Sequence, residues 1–116
     1  MIIRFPGLTP TRSRAVVHDG LVVTVAVSPD ADPGFYEQTQ KALKRIDESL
    51  AMSGTDKSRI LSVTIYLKDI DADYAGMNAV WDAWVAKGSS PARACVEAKM
   101  YSPEVLVEMT VVAALP

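Results

Sequence analysis

The chain has 116 residues, 49% of them hydrophobic and 22% charged, with a formal net charge of −2. That balance excludes a disordered chain and predicts a single domain over residues 1–116, long enough to bury a sizeable core. A slight negative charge argues against a nucleic-acid partner. No stretch approaches the ~20 apolar residues of a membrane span. Residues 1–6 are too short in their apolar part for a signal peptide, so a cytoplasmic location and no membrane partner are expected. One cysteine and one histidine leave no intramolecular disulfide and no thiolate or imidazole set for a metal.

Residues 12–17 and 21–27 flank His18-Asp19-Gly20, the signature of a tight β-hairpin. His18 on such a turn reads as a surface residue, which leaves little support for a Ser-His-Asp or Cys-His arrangement. No glycine-rich phosphate loop is present. Residues 28–31 read as a loop, after which Asp32 caps a helix that has Pro33 at its first position. Tyr36, Thr39, Leu43, Ile46 and Leu50 give this helix one apolar stripe, and Gly54 ends it.

Residues 59–67 read as a strand, with Leu61, Val63, Ile65 and Leu67 on one face. Ile60, Ser62, Thr64 and Tyr66 take the other. A second helix is predicted over 72–86, with Tyr74, Met77, Val80, Trp81 and Trp84 as its core face. Two strands follow, from Pro91 and from Val105. The order β-β-α-β-α-β-β predicts an α+β fold, one sheet with both helices packed on a single face. The opposite face would carry Ser62, Thr64, Tyr66, Arg93, Cys95, Leu106, Glu108, Thr110 and Val112. These are too apolar for a solvated surface, so an oligomer with a site at its subunit boundary is expected.

Arg93 is the residue that asks most of its surroundings. It stands between small apolar neighbours at the start of a strand. It cannot shed its charge, and its five donors need acceptors. Pairing the last two strands antiparallel, with residue numbers summing to 201, sets Ala92 against Met109, Ala94 against Val107 and Val96 against Val105. Arg93 then lies beside Glu108, and Cys95 beside Leu106. Such a pair serves as a structural lock, which needs no ligand, or as a substrate site. In the second case Arg93 grips a carboxylate and Glu108 holds the guanidinium or positions a water. Cys95 reads as a small pocket wall rather than a nucleophile.

The segments Gln38-Thr39-Gln40-Lys41-Ala42-Leu43, Ile60 to Asp69, Tyr74 to Trp81, Pro91-Ala92-Arg93-Ala94-Cys95-Val96-Glu97 and Val107-Glu108 carry a resemblance. Over nearly its whole length the chain resembles the reactive intermediate deaminase (Rid, YjgF-like) family. The resemblance implies a chorismate-mutase-like α+β fold with one mixed sheet, and a homotrimer with three clefts between subunits. It also implies hydrolysis of 2-imino or enamino acids to 2-keto acids and ammonia, with no metal or organic cofactor. Arg93 would bind the substrate carboxylate, Glu108 would position water as a second catalytic group, and Cys95 and Asn78 would line the pocket. Arg12, Val25 and Ala26 stand where the archetypal subgroup has tyrosine, serine and glycine, so one pocket wall becomes apolar. The loop before Arg93 is also about two residues shorter than in that subgroup. A trimeric module that binds small carboxylates without turning them over is the alternative.

Overall fold

Asp19 and Gly20 take φ of 49° and 76°, the left-handed pair that a two-residue hairpin turn needs. They join strand β2 (Ser13–His18) to β3 (Leu21–Val27), with Val17 opposite Val22 and Ala15 opposite Thr24. The computed structural model describes residues 1–28 and 34–116. Helix α1 (Phe35–Ser53) follows Gly34, whose extended backbone occupies the cap position. The predicted cap at Asp32 and helix start at Pro33 lie outside the described residues. Gly54, at φ 93°, closes the helix by donating to the Ala51 carbonyl, a left-handed geometry that glycine adopts without a Cβ penalty.

The stripe of α1 buries Thr39, Leu43, Ile46 and Leu50 as its spacing predicts, together with Gln38, Ala42 and Ser49. Tyr36 departs from the prediction. It sits in the first turn, 58% exposed, where its hydroxyl accepts from Gln40. A 3₁₀ turn at Lys57–Arg59 leads into β4 (Ile60–Leu67). The predicted alternation fails at the start of β4. A bulge between Ile60 and Ser62 buries Ile60 and exposes Leu61, because an extra residue reverses which face follows. Helix α2 (Ile70–Trp84) begins two residues before the predicted start, since the Asp69 carboxylate accepts the Ala72 N–H and caps it. Met77, Val80 and Trp81 are buried, whereas Tyr74 is 44% exposed.

Strands β5 (Ala92–Glu97) and β6 (Val107–Ala114) complete a six-stranded sheet. An additional edge strand, β1 (Ile3–Pro6), pairs with β2. Its brevity and its proline hide it in the sequence, and both are features of sheet edges. The element order is therefore β-β-β-α-β-α-β-β, one strand more than predicted. Both helices pack on one face. Leu43, Ile46, Leu50, Met77 and Trp81 meet Val22, Ala26, Val63, Ile65, Met109 and Val111 in a single core cluster.

The sheet order is β1-β2-β3-β6-β4-β5, and it corrects the expected final hairpin. β6 inserts between β3 and β4, antiparallel to both. β5 lies at the far edge, parallel to β4, with Val63 opposite Arg93 and Ile65 opposite Cys95. The register summing to 201 is not formed. Two causes act together. β4–α2–β5 is a β-α-β unit, whose long crossover produces a parallel pair. Residues 98–106 then cross the end of β4 rather than turn back, held by Ala98 N–H to the Leu67 carbonyl and Lys68 N–H to the Leu106 carbonyl. Gln38 fastens the same segment, donating to the Glu104 carbonyl at 2.7 Å and accepting from the Leu106 N–H at 2.9 Å.

Candidate functional site

Because β5 is in register with β4, Arg93 and Cys95 share the helix side with the buried Val63 and Ile65. Ala92, Ala94 and Val96 share the open side with Ser62, Thr64 and Tyr66. The expected faces of β5 are therefore inverted. Alanines fit either a core or a closely covered surface, so their alternation fixes the period and not the side.

Arg93 is half-buried against α2. Its Nη2 donates to Asn78 Oδ1 at 2.6 Å, and its Cζ lies over the Trp81 ring, 5.4 Å from the centroid. A cation over an indole face is attracted by the ring quadrupole. Two residues along, Cys95 is half-buried and packs against the core. Burial pushes its thiol pKa up, and the neighbouring Arg93 charge pulls it back only in part. Such a thiol stays protonated near neutrality and is a small wall, not an activated nucleophile. Glu97, next on the same side, accepts the Ile70 N–H at 3.2 Å and ties the end of β5 to the start of α2. Sequence reasoning missed this role. Its signal was the shared parity of Arg93, Cys95 and Glu97.

Asn78 thus stands beside Arg93. Glu108 does not. It projects from the open face of β6, between Val27 of β3 and Tyr66 of β4. There it lines a cavity of about 400 Å³ with Tyr66, Thr110, Lys99, Met100 and Tyr101. β4 stands between the strands that carry Arg93 and Glu108, and the two side chains leave the sheet on opposite faces. The expected Arg93–Glu108 contact is absent within one chain, and so is Cys95 against Leu106. With strands ~4.8 Å apart, the two groups are also too far apart to hold one small molecule together.

The hairpin positions fall as follows. Val25 is 45% exposed on the open face opposite Thr110, while Ala26 is buried opposite Met109. Arg12 is exposed just before β2. A bulge leaves Arg14 without a pairing partner in β1, and its side chain turns toward α1 to donate to Ser49 at 2.9 Å. Among the described residues no group of three His, Cys, Asp or Glu side chains converges as metal ligands would. No described helix is long and apolar enough to cross a membrane.

A small mixed sheet with two helices on one face, an arginine presented at its edge strand and a glutamate on its bare face together define a class of compact α+β proteins. The family model described as endoribonuclease L-PSP matches residues 11–115. A RutC family protein of Haemophilus ducreyi is 42% identical over 99% of this chain and 97% of its own length. The crystal structure of a YjgF family member from Neisseria meningitidis, 45% identical, superposes with a TM-score of 0.93 over 100% of this chain and 96% of that one. A protein of the Rid family from Yersinia pestis, 26% identical, superposes at 0.83 over 95% and 92%. The chain belongs to this endoribonuclease L-PSP family of RutC, YjgF and Rid proteins.

Proposed function

We propose that this protein hydrolyses 2-imino and enamino acids to 2-keto acids and ammonia, in clefts where the protomers of a homotrimer meet. The observation that carries the reading is the guanidinium of Arg93, held by Asn78 and Trp81 at the edge strand with no carboxylate partner among the described residues. A substrate carboxylate is the acceptor that such a group calls for. Glu108 then comes from the neighbouring protomer, because its own lies across the sheet. The open face that bears it carries Val23, Val25 and Val96, each more than 40% exposed in a lone chain, which is surface for a second subunit to cover.

In the reaction, Arg93 binds the carboxylate and so fixes the imine carbon. Glu108 accepts a hydrogen bond from water and orients its oxygen toward that carbon. The C–O bond forms as the C=N π pair moves to nitrogen, and the proton that the attacking water gives up passes to that nitrogen. The hydroxyl proton of the resulting carbinolamine then passes to the amino nitrogen as the C–N bond breaks, releasing ammonia and leaving the C=O of the keto acid. Water is the one co-reactant, so no cofactor is needed. The reading treats residues 1–116 as one domain and goes with a cytoplasmic location.

The test is keto-acid release from an iminoacid generated by an amino-acid oxidase. Arg93→Ala is expected to lower the rate on the order of 100-fold, about what one charge-assisted contact contributes. Unchanged turnover defeats the reading. A second reading, a small-carboxylate-binding module without turnover, draws on Val25, which gives the hairpin wall no hydroxyl. Calorimetric binding of 2-ketobutyrate with no imine hydrolysis would select it. Cleavage of RNA, the activity named in the family model's description, finds little support in a chain of net charge −2.

A further inference from the structure

We infer that Trp81 and Asn78 are positioning residues, which fix the plane and the free edge of Arg93 and thereby set the affinity of the site for its carboxylate. The inference rests on Arg93 being the carboxylate-binding group, as proposed above.

An arginine on an edge strand has several rotatable bonds, and ordering them when a ligand arrives costs affinity. Here two contacts order the side chain beforehand. The indole of Trp81 lies under the guanidinium, and Trp81 is only 6% exposed, so its ring is held in the core. Asn78 Oδ1 accepts one N–H of Nη2 at 2.6 Å. The ring covers one face of the guanidinium and the amide occupies one of its five donors. The remaining in-plane donors stay available for a two-point grip on a carboxylate.

The supports of this cradle are themselves fixed. Trp81 meets Trp84 at 5.4 Å between centroids. Trp84 donates its indole N–H to Asp47 Oδ2 at 3.0 Å, and Lys57 Nζ lies 5.0 Å from its ring centroid. A row of cation, ring, ring and cation thus runs from Lys57 to Arg93. Glu97 sets the start of α2 against the end of β5, which fixes where Asn78 and Trp81 stand along the strand. The amide of Asn78 matters for what it lacks. It accepts a hydrogen bond without adding a negative charge, whereas a carboxylate there would neutralise the cation that the substrate needs.

The experiment compares KM, kcat and the calorimetric Kd for 2-ketobutyrate among the full-length wild type, Trp81→Phe, Trp81→Leu, Asn78→Asp and Arg93→Ala. Trp81→Leu and Asn78→Asp are each expected to raise Kd and KM about tenfold, with kcat within about twofold. Trp81→Phe, which keeps a ring face, is expected to stay within about threefold of wild type. A merely structural tryptophan would instead lower kcat and thermal stability without moving Kd. Should Trp81→Leu fail to fold, Asn78→Asp decides, since Asn78 is half-exposed and the change is nearly isosteric. Wild-type Kd in Asn78→Asp, or in a folded Trp81→Leu, overturns the inference. If Arg93→Ala abolishes turnover while those variants bind normally, only the positioning role falls. If Arg93→Ala itself turns over like wild type, the proposed function falls with it.

Discussion

Two regions of this molecule carry its chemistry-bearing groups, and they are built on different terms. On the helix side of the sheet edge, Arg93 is fixed from within its own chain by an amide oxygen, an indole face and the anchoring of α2 to β5. On the open side, Glu108 stands among Tyr66, Thr110 and Val27 with no hydrogen-bond or ion-pair partner among the described residues. The first region is ordered within a single protomer. The second is completed only in the proposed assembly, so the difference teaches that the protomer orders its cation alone and that, on the proposed function, a neighbour brings the carboxylate to it.

That difference can be broken most severely by mixing two impaired variants. Arg93→Ala and Glu108→Gln are each expected to lower hydrolysis on the order of 100-fold. Co-refolded in equal amounts, they are expected to form the proposed cyclic trimers, in which a cleft takes Arg93 from one protomer and Glu108 from the next. About one quarter of the clefts then hold both native groups, so about one quarter of the wild-type activity returns. No recovery in the mixture would mean that both groups act from the same chain, against the geometry of the sheet.

The next largest effect concerns the bare face itself. Val23 lies at its centre, opposite Val16 on β2 and Val112 on β6, and is 49% exposed in one protomer. On a true solvent surface Val23→Asp would change stability by less than about 0.5 kcal/mol. Beneath a second subunit, the same carboxylate is a buried unpaired charge and costs several kcal/mol. Light scattering is expected to give about three times 12.5 kDa for the wild type and a mass near 12.5 kDa for the variant. An unaltered oligomer mass in the variant would remove this face from the interface.

The sequence was informative wherever the deciding physics is local. Asp19-Gly20 specifies its hairpin, Gly54 its helix end, and the spacing of Leu43, Ile46 and Leu50 its buried stripe, because backbone strain and helical period act within a few residues. The singular demand of Arg93 was equally visible, since a fixed charge amid alanines needs an acceptor in any fold. Strand neighbours were not visible in this way. Whether β5 pairs with β4 or β6 depends on contacts distant in sequence, and Ala92, Ala94 and Val96 suit a core or a covered face equally well. The β4–α2–β5 crossover was the available signal for a parallel pair; it names the neighbour of β5, whereas the face that Arg93 takes follows from the register of Val63 opposite Arg93. Trp81 illustrates the same limit. Its spacing marks it as core, which it is, and nothing in that spacing reveals that its ring also carries the arginine.

Residues 98–106 join the two regions, leaving β5 on one side of β4 and entering β6 on the other. Gln38, only 2% exposed, holds this segment through the Glu104 carbonyl and the Leu106 N–H. Gln38→Ala strands two backbone groups and is expected to cost about 1–3 kcal/mol, read as a lower midpoint in denaturant. Since Lys99, Met100 and Tyr101 of this segment wall the cavity beside Glu108, the loss should weaken the open-face region while leaving the Arg93 cradle intact. Hydrogen exchange would show it as faster exchange at 98–106 with unchanged protection in α2.

The smallest effect tests the dryness of the cradle through Cys95. Burial raises its pKa above the ordinary thiol value, and the Arg93 charge offsets this only in part. The folded chain therefore holds the thiol proton more tightly than the unfolded chain does. As pH rises through the unfolded-chain value, the unfolded state ionises first, so stability is complete below that pH and declines above it. Wild type should lose stability more steeply than Cys95→Ala across that alkaline window, with parallel curves at neutral pH. Removing the neighbouring charge sharpens the comparison. In Arg93→Ala the offsetting charge is gone, so alkylation of Cys95 is expected to require a still higher pH than in wild type. A shift to lower pH would mean that solvent, not the core, surrounds the thiol once the guanidinium is removed.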